Sequence, residues 1–224
     1  MNMKKIISFF IVACCAMCAT AAKVVWQIGV ADNSGTELAL GPSEYKKFLA
    51  HDFGYEDRYF LVGTSVDKND FPYVLPGPDD TWGGTWSTSG WRTHDANILF
   101  GIKKLPKHGK WKLVVDLVDA NPSRSVVKVM VNSAEKKFEI KGHSKGVLEG
   151  NLQDAKEQIL EFPISADDLK KGGNMVTVSV LEGGWIVFDQ IRLEGADELV
   201  LEKNNEDAFL RNVAPAEYEM EMDG

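Results

Sequence analysis

From Trp111 to Leu193 the chain alternates apolar and polar positions with a period of two. Trp111, Leu113, Val115 and Leu117 share one face of an extended segment at 111–118 (WKLVVDLV). Residues 126–131 (VVKVMV) are β-branched and end at an Asn132-Ser133 turn, and 137–141 (KFEIK) alternate strictly. Residues 158–164 (QILEFPI) read as a strand, with Pro163 near its end marking a sheet edge. Val176, Val178 and Val180 alternate with Thr177 and Ser179 between glycine turns at Gly172-Gly173-Asn174 and Gly183-Gly184. A last strand covers 185–193 (WIVFDQIRL). Many short period-2 runs broken by turn residues predict an all-β, antiparallel sandwich over residues 24–195. Helix is expected only at 43–50, with Ser43 as N-cap, and for one or two turns at 151–157.

The two ends of the chain read differently from this body. Lys4 and Lys5, the apolar run 6–13 and Ala19-Thr20-Ala21 have the order of a secretory signal ending near Ala22. An alternative reading makes residues 11–14 (IVAC) a lipobox, with Cys14 the lipidated N-terminus. Cys14, Cys15 and Cys18 are the three cysteines, so cleavage near Ala22 leaves no thiol for a disulfide, nucleophile or metal site. Residues 196–224 hold nine acids and two bases around a short apolar stretch, Ala208-Phe209-Leu210. They read as an acidic linker or the opening of a further domain. The expected organisation is therefore a signal at 1–22, a sandwich domain at 23–195 and the acidic segment at 196–224.

Loss of Lys4 and Lys5 takes the formal charge from −8 to −10. That sign excludes a generally basic nucleic-acid binder. The apolar run at 6–13 is too short for a transmembrane span, and none is expected in the mature chain.

Candidate chemistry gathers at 79–95 (DDTWGGTWSTSGWRTHD), where Trp82, Trp86 and Trp91 are spaced by Gly, Ser and Thr. An indole on a loop can cover the apolar C–H face of a pyranose, while Asp79, Asp80, Arg92 and His94 bond its hydroxyls. The competing reading has the tryptophans closing the end of the sandwich. Asp189 shares parity with Val187, Ile191 and Leu193, so its carboxylate faces the core and needs a partner. That partner is loop N–H groups, an arginine such as Arg92 or Arg58, a structural calcium ion or a sugar hydroxyl. Asp116, with Asp119 and Asn121, is the second place where calcium is considered. No catalytic motif is present: the four histidines are scattered, and no G-x-S-x-G elbow or phosphate loop occurs.

Several segments resemble one family. Residues 25–32 (VWQIGVAD), with Glu37 after them, resemble the opening W-x-I-G-x-x-D of the carbohydrate-binding-like third domain of polysaccharide lyase family 4, the rhamnogalacturonan lyases. Residues 59–65 (YFLVGTS) followed by Asp70-Phe71-Pro72, the strand 97–100 (NILF) and the closing 187–194 (VFDQIRLE) are similar to further pieces of that domain. The resemblance implies a galactose-binding-like jelly roll with a supporting or sugar-binding role. The family's catalytic residues lie in another domain, so none is carried onto this chain. The expected function is a non-catalytic accessory module of an exported bacterial polysaccharide-degrading protein. Its partners would be a polysaccharide or oligosaccharide and a catalytic glycan-degrading domain. Two alternatives stand beside it. One is a pectin lyase fragment using His94 and Arg92, and the other is a structural spacer packed on a glycosidase.

Overall fold

The computed structural model describes residues 22–53, 58–84, 94–195 and 197–203. Eleven strands are found among them: β1 (Lys23–Gly29), β2 (Tyr59–Leu61), β3 (Val74–Leu75), β4 (Asp95–Lys104), β5 (Lys110–Ala120), β6 (Arg124–Val131), β7 (Ala134–Lys141), β8 (Gln158–Ser165), β9 (Gly172–Glu182), β10 (Ile186–Gly195) and β11 (Val200–Glu202). One sheet has the order β1-β10-β5-β8, with β3 also on β10. The other has the order β11-β4-β9-β6-β7, with β2 paired in parallel to β4. The eight long strands β1, β4, β5, β6, β7, β8, β9 and β10 thus interleave between two sheets as a jelly roll. The expected all-β sandwich with little helix is what forms.

Period-2 patterning explains the core. Leu113, Val115 and Leu117 of β5 and Ile191 and Leu193 of β10 face Ile98, Phe100 and Ile102 of β4 and Val176, Val178 and Val180 of β9. All are essentially inaccessible to water. Rings lock the layers: Trp26 lies 5.4 Å from Phe100, and Phe71 meets Phe60 and Phe188 edge-on at 5.8 and 5.2 Å. Edge strands are blunted. β7 exposes Glu135, Lys136, Lys137, Glu139 and Lys141, and the other sheet ends at β8, which carries Pro163.

Three local expectations are corrected. Gly172-Gly173-Asn174 opens β9 instead of forming a turn, because the ladder to Ile102, Gly101 and Phe100 satisfies its backbone. Residues 151–157 form no helix, since Asn151 Oδ1 accepts the Gln153 N–H at 3.2 Å and holds a local turn instead. At 43–50 there are two 3-10 turns, Tyr45–Lys47 and Leu49–His51, and no side chain caps the first of them. Val200–Glu202, inside the segment read as linker, pairs with β4. Ala208-Phe209-Leu210 lies outside the described residues. Among the described residues no helix is long and apolar enough to cross a membrane.

Gly29 shows why the W-x-I-G segment ends in glycine. Its φ is +78°, and a Cβ there would sit 2.2 Å from the Asp189 carbonyl oxygen. Its N–H donates to Asp67 Oδ2 at 2.8 Å, so the backbone cannot swing away. Gly29→Ala is expected to lower the unfolding free energy by about 2 kcal/mol or more, read as a lower urea midpoint; an unchanged midpoint would contradict this account of the position.

Candidate functional site

Rings close one end of the sandwich, the end at which β4 begins. The 3-10 turn Thr81–Gly83 presents Trp82 edge-on to Tyr45 at 5.0 Å and to Phe48 at 6.2 Å. Phe48 is fully buried and lies 5.9 Å from Phe53, over which the Arg58 guanidinium stacks at 4.3 Å. Trp82 is half-buried in this row. The reading of tryptophan as an end plug describes Trp82.

His94 and Asp80 support the same end. The His94 ring packs 5.4 Å from Phe48. Its Nε2 donates to the Gly83 carbonyl, which fixes the proton on that nitrogen because a carbonyl can only accept. Asp80 Oδ2 accepts the Gly77 N–H at 2.8 Å, tying the stretch before the turn. Trp86, Trp91 and Arg92 lie outside the described residues.

Beyond Phe53 the row opens into a pocket lined by Arg58, Tyr59, Asp70, Asp95 and Asn97, with Phe60 and Phe71 behind. It is open to solvent and offers about 20 Å³ of room to water-sized groups. Arg58 is held in place by bonds to the His51 and Asn69 carbonyls at 2.7 and 3.2 Å. Its Nη2 stops 3.7 Å from Asp70 Oδ1. Asp70 Oδ2 accepts the Val66 N–H at 2.7 Å. Asn97 is buried, and its amide oxygen accepts from Thr177 Oγ1 at 2.9 Å. Sequence reasoning considered Arg58 only as a partner for Asp189 and did not single out Asp70 or Asn97 as site residues. The available signal was Asp70-Phe71-Pro72, a segment that carries the family resemblance.

The carboxylates considered for calcium lie elsewhere. Asp189 is fully buried at an irregularity in the β5–β10 register, as its parity predicted. Its Oδ1 accepts the Ser34 N–H at 3.0 Å, while Oδ2 has no partner among the described residues. Among the described residues neither Arg58 nor a second loop N–H reaches it. Asp116, opposite Gln190 on β10, is buried with Oδ1 unpartnered among the described residues and Oδ2 3.9 Å from Arg192 Nη1. Asp119 is structural: its oxygens accept the N–H groups of Ala120, His143 and Ser144 at 2.8–3.0 Å. Asn121 Oδ1 accepts the Ser123 N–H at 2.9 Å. Among the described residues no three His, Cys, Asp or Glu side chains group as a metal site.

Burial pushes the Asp80 carboxyl up to about 6, with the Asp79 charge adding to it. The Gly77 and Trp185 N–H groups and the Trp82 side chain oppose the shift. Burial also takes Asp116 to about 6, helped by Glu157 and Asp189 and opposed by Arg192. An acid whose folded value is raised favours the fold fully below its unfolded value near 4. That contribution is lost as pH rises through 6. Asp80→Asn, compared with wild type, should therefore gain on the order of 2–3 kcal/mol between pH 4 and pH 8. Paired denaturant titrations at the two pH values measure it, and a pH-independent difference would refute the assignment.

A sandwich of this strand order, with an aromatic-sealed end that opens into a small polar pocket, falls in the class of jelly-roll β-modules. More narrowly, residues 24–193 match the family described as CBM-like, polysaccharide lyase family 4, domain III, and the chain belongs to that family. No curated protein matches it. Among solved structures, it is similar to the family 35 carbohydrate-binding module of Abf62 from Cellvibrio japonicus. The identity is 14%, covering 51% of this chain and 72% of that one, with a TM-score of 0.35. A family 35 module, Xyl-CBM35, solved with a glucuronic-acid-containing disaccharide, is 14% identical over 51% of this chain and 73% of its own, TM-score 0.33. BtGH115A, a 4-O-methyl-α-glucuronidase with specificity for decorated arabinogalactans, is 16% identical over 47% of this chain, TM-score 0.34. The chain spans only 14% of that enzyme's length. None of these three reaches a TM-score of 0.5, and the assignment rests on the family match.

Proposed function

We propose that this CBM-like accessory module binds an oligosaccharide at the end of the sandwich sealed by Trp82, and that it serves an exported glycan-degrading system. The observation that carries the reading is spatial. Tyr45, Trp82, Phe48 and Phe53 form one row of rings that leads into the polar pocket of Arg58, Asp70, Asp95 and Asn97. Aromatic surface beside paired donors and acceptors is what a sugar ring, apolar on its faces and hydroxylated at its rim, requires. Both ends of the segment carrying Trp86, Trp91 and Arg92 meet this row, at Gly84 beside Leu49 and at His94 beside Phe48. The indoles of Trp86 and Trp91 are assigned the sugar face, and Arg92 a hydroxyl. A catalytic glycan-degrading domain is the expected partner, and the leader at 1–22, or lipidation at Cys14, provides export.

Affinity-gel electrophoresis of residues 23–224 against pectic, mannan and host-type glycans tests binding. Retardation by one polymer class is expected, and the double variant Trp86→Ala/Trp91→Ala should lose it at least tenfold with an unchanged melting temperature. Retention of binding by the folded double variant would move the site away from this segment. Intact-mass analysis of the chain expressed in a Gram-negative host should give an N-terminus near Lys23, or a lipid-modified Cys14. An unprocessed Met1 would refute export.

A further inference from the structure

The two sheets approach each other along two margins. At one, β7 and β8 lie side by side, and Lys136 Nζ bonds the Glu161 carbonyl at 2.9 Å. The other is formed by β1 and β11, the end strands of the two sheet orders, which do not pair with each other among the described residues. Between them runs a groove open to solvent. Lys23, Val24 and Val25 line one side of it, and Leu199, Val200 and Leu201 the other. It offers about 330 Å³ of room to water-sized groups. Val24 is 40% exposed there. The acids on its wall are turned to other partners: Asp197 Oδ2 accepts the Lys110 N–H at 2.7 Å, and Glu198 lies 3.7 Å from Lys104 Nζ. Apolar side chains beside open strand edges invite pairing with another chain, and folds commonly cover them.

The chain carries a cover of its own. β11 ends at Glu202, and residues 204–224, which lie outside the described residues, begin two positions on. So short a tether keeps their first residues at the groove at high effective concentration. Asn204-Asn205 suit the left-handed conformation that a two-residue hairpin turn demands. A turn there sets Leu201 opposite Ala208, Val200 opposite Phe209 and Leu199 opposite Leu210, so apolar residues return to apolar residues. Lys203 opposite Glu206 and Arg211 opposite Glu198 match opposite charges. Glu202 and Asp207 are the one like-charged pair, and Glu202 is exposed to solvent. Leu199 and Leu201 pack against the core, and Leu210 shares their face in this register. We infer that residues 206–210 pair with the outer edge of β11 and place Leu210 in the groove against Val24 and Val25, with Phe209 beside Val200. The occupant is this segment of the same molecule, and the inference stands apart from the carbohydrate-binding reading.

The test uses the chain 23–224, which has no cysteine of its own. Amide hydrogen exchange at pH 7 should run at least tenfold below the intrinsic rate at residues 206–210. Leu210→Asp should remove most of that protection while β5, β9 and β10 keep theirs, which shows that the variant is folded. In oxidising buffer, Val24→Cys/Leu210→Cys should close an intramolecular disulfide at least tenfold faster than Val24→Cys/Met220→Cys. The difference in tether length alone accounts for about threefold of that ratio. Protection below tenfold at 206–210, or protection that survives Leu210→Asp, overturns the inference. So does a closure ratio below tenfold. A disulfide-linked dimer as the main product gives the groove to a second copy of the chain and overturns it as well.

Discussion

Two sheets that each bury one face must also keep water out at the open ends of the sandwich, and at one end this chain does so with rings. Phe48 is the keystone. It touches Trp82, Phe53 and His94 at once and is itself wholly removed from solvent. Aromatic side chains bury roughly 150–250 Å² each and gain a further 0.5–1.5 kcal/mol per well-oriented pair. The same rings that seal the core position the Arg58 guanidinium and the ends of the tryptophan-bearing segment. In the proposed function, stability and recognition therefore share side chains.

The broad outer faces of the sandwich are organised differently. On the sheet β1-β10-β5-β8, Lys112 bonds Glu161 at 2.6 Å and pairs with Glu194 at 3.1 Å, while Arg192 bonds Glu194 and Gln190, each at 2.8 Å. Exposed pairs of this kind contribute little stability, typically under about 1 kcal/mol. They do satisfy one another's donors and acceptors, which leaves that face with little to offer a sugar. Asn97 Nδ2 and the gap between Arg58 and Asp70 lie at the ring-sealed end, while Asp116 Oδ1, Gln158 Nε2 and Asp189 Oδ2 are buried without partners among the described residues on the sheet β1-β10-β5-β8.

The strands from Trp111 to Leu193 were legible because each buries one face, which writes a period of two into the residues. Pro163 correctly marked β8 as an edge, and parity alone placed Asp189 in the interior. The partners were not legible. Ser34 supplies the N–H for Asp189 from 155 residues away, and the loop at His143-Ser144 turns Asp119 from a candidate ligand into a brace. Gly172-Gly173 looked like a turn because glycine's local preference was read without the opposing strand β4 that extends it. Asp80 and His94 carried polar signatures that fit ligand binding and structural support equally well, and only their burial and bonds separate the two. The pocket combines residues from β2, from the end of the helix Asp67–Asp70 and from β4. No spacing along the chain announces such a meeting.

The charged rim at β7 and the proline in β8 have a consequence for crowding. A polymer-bound module is held beside many copies of itself, at local concentrations far above those in free solution. Sandwiches with bare edges would then zip together, strand to strand, into aggregates. Here an approaching copy meets, at the margin where β7 and β8 lie side by side, Lys136, Lys137 and Lys141 and a strand with one N–H missing. Dense coverage of a surface is thus compatible with each copy remaining separately folded and separately exchangeable.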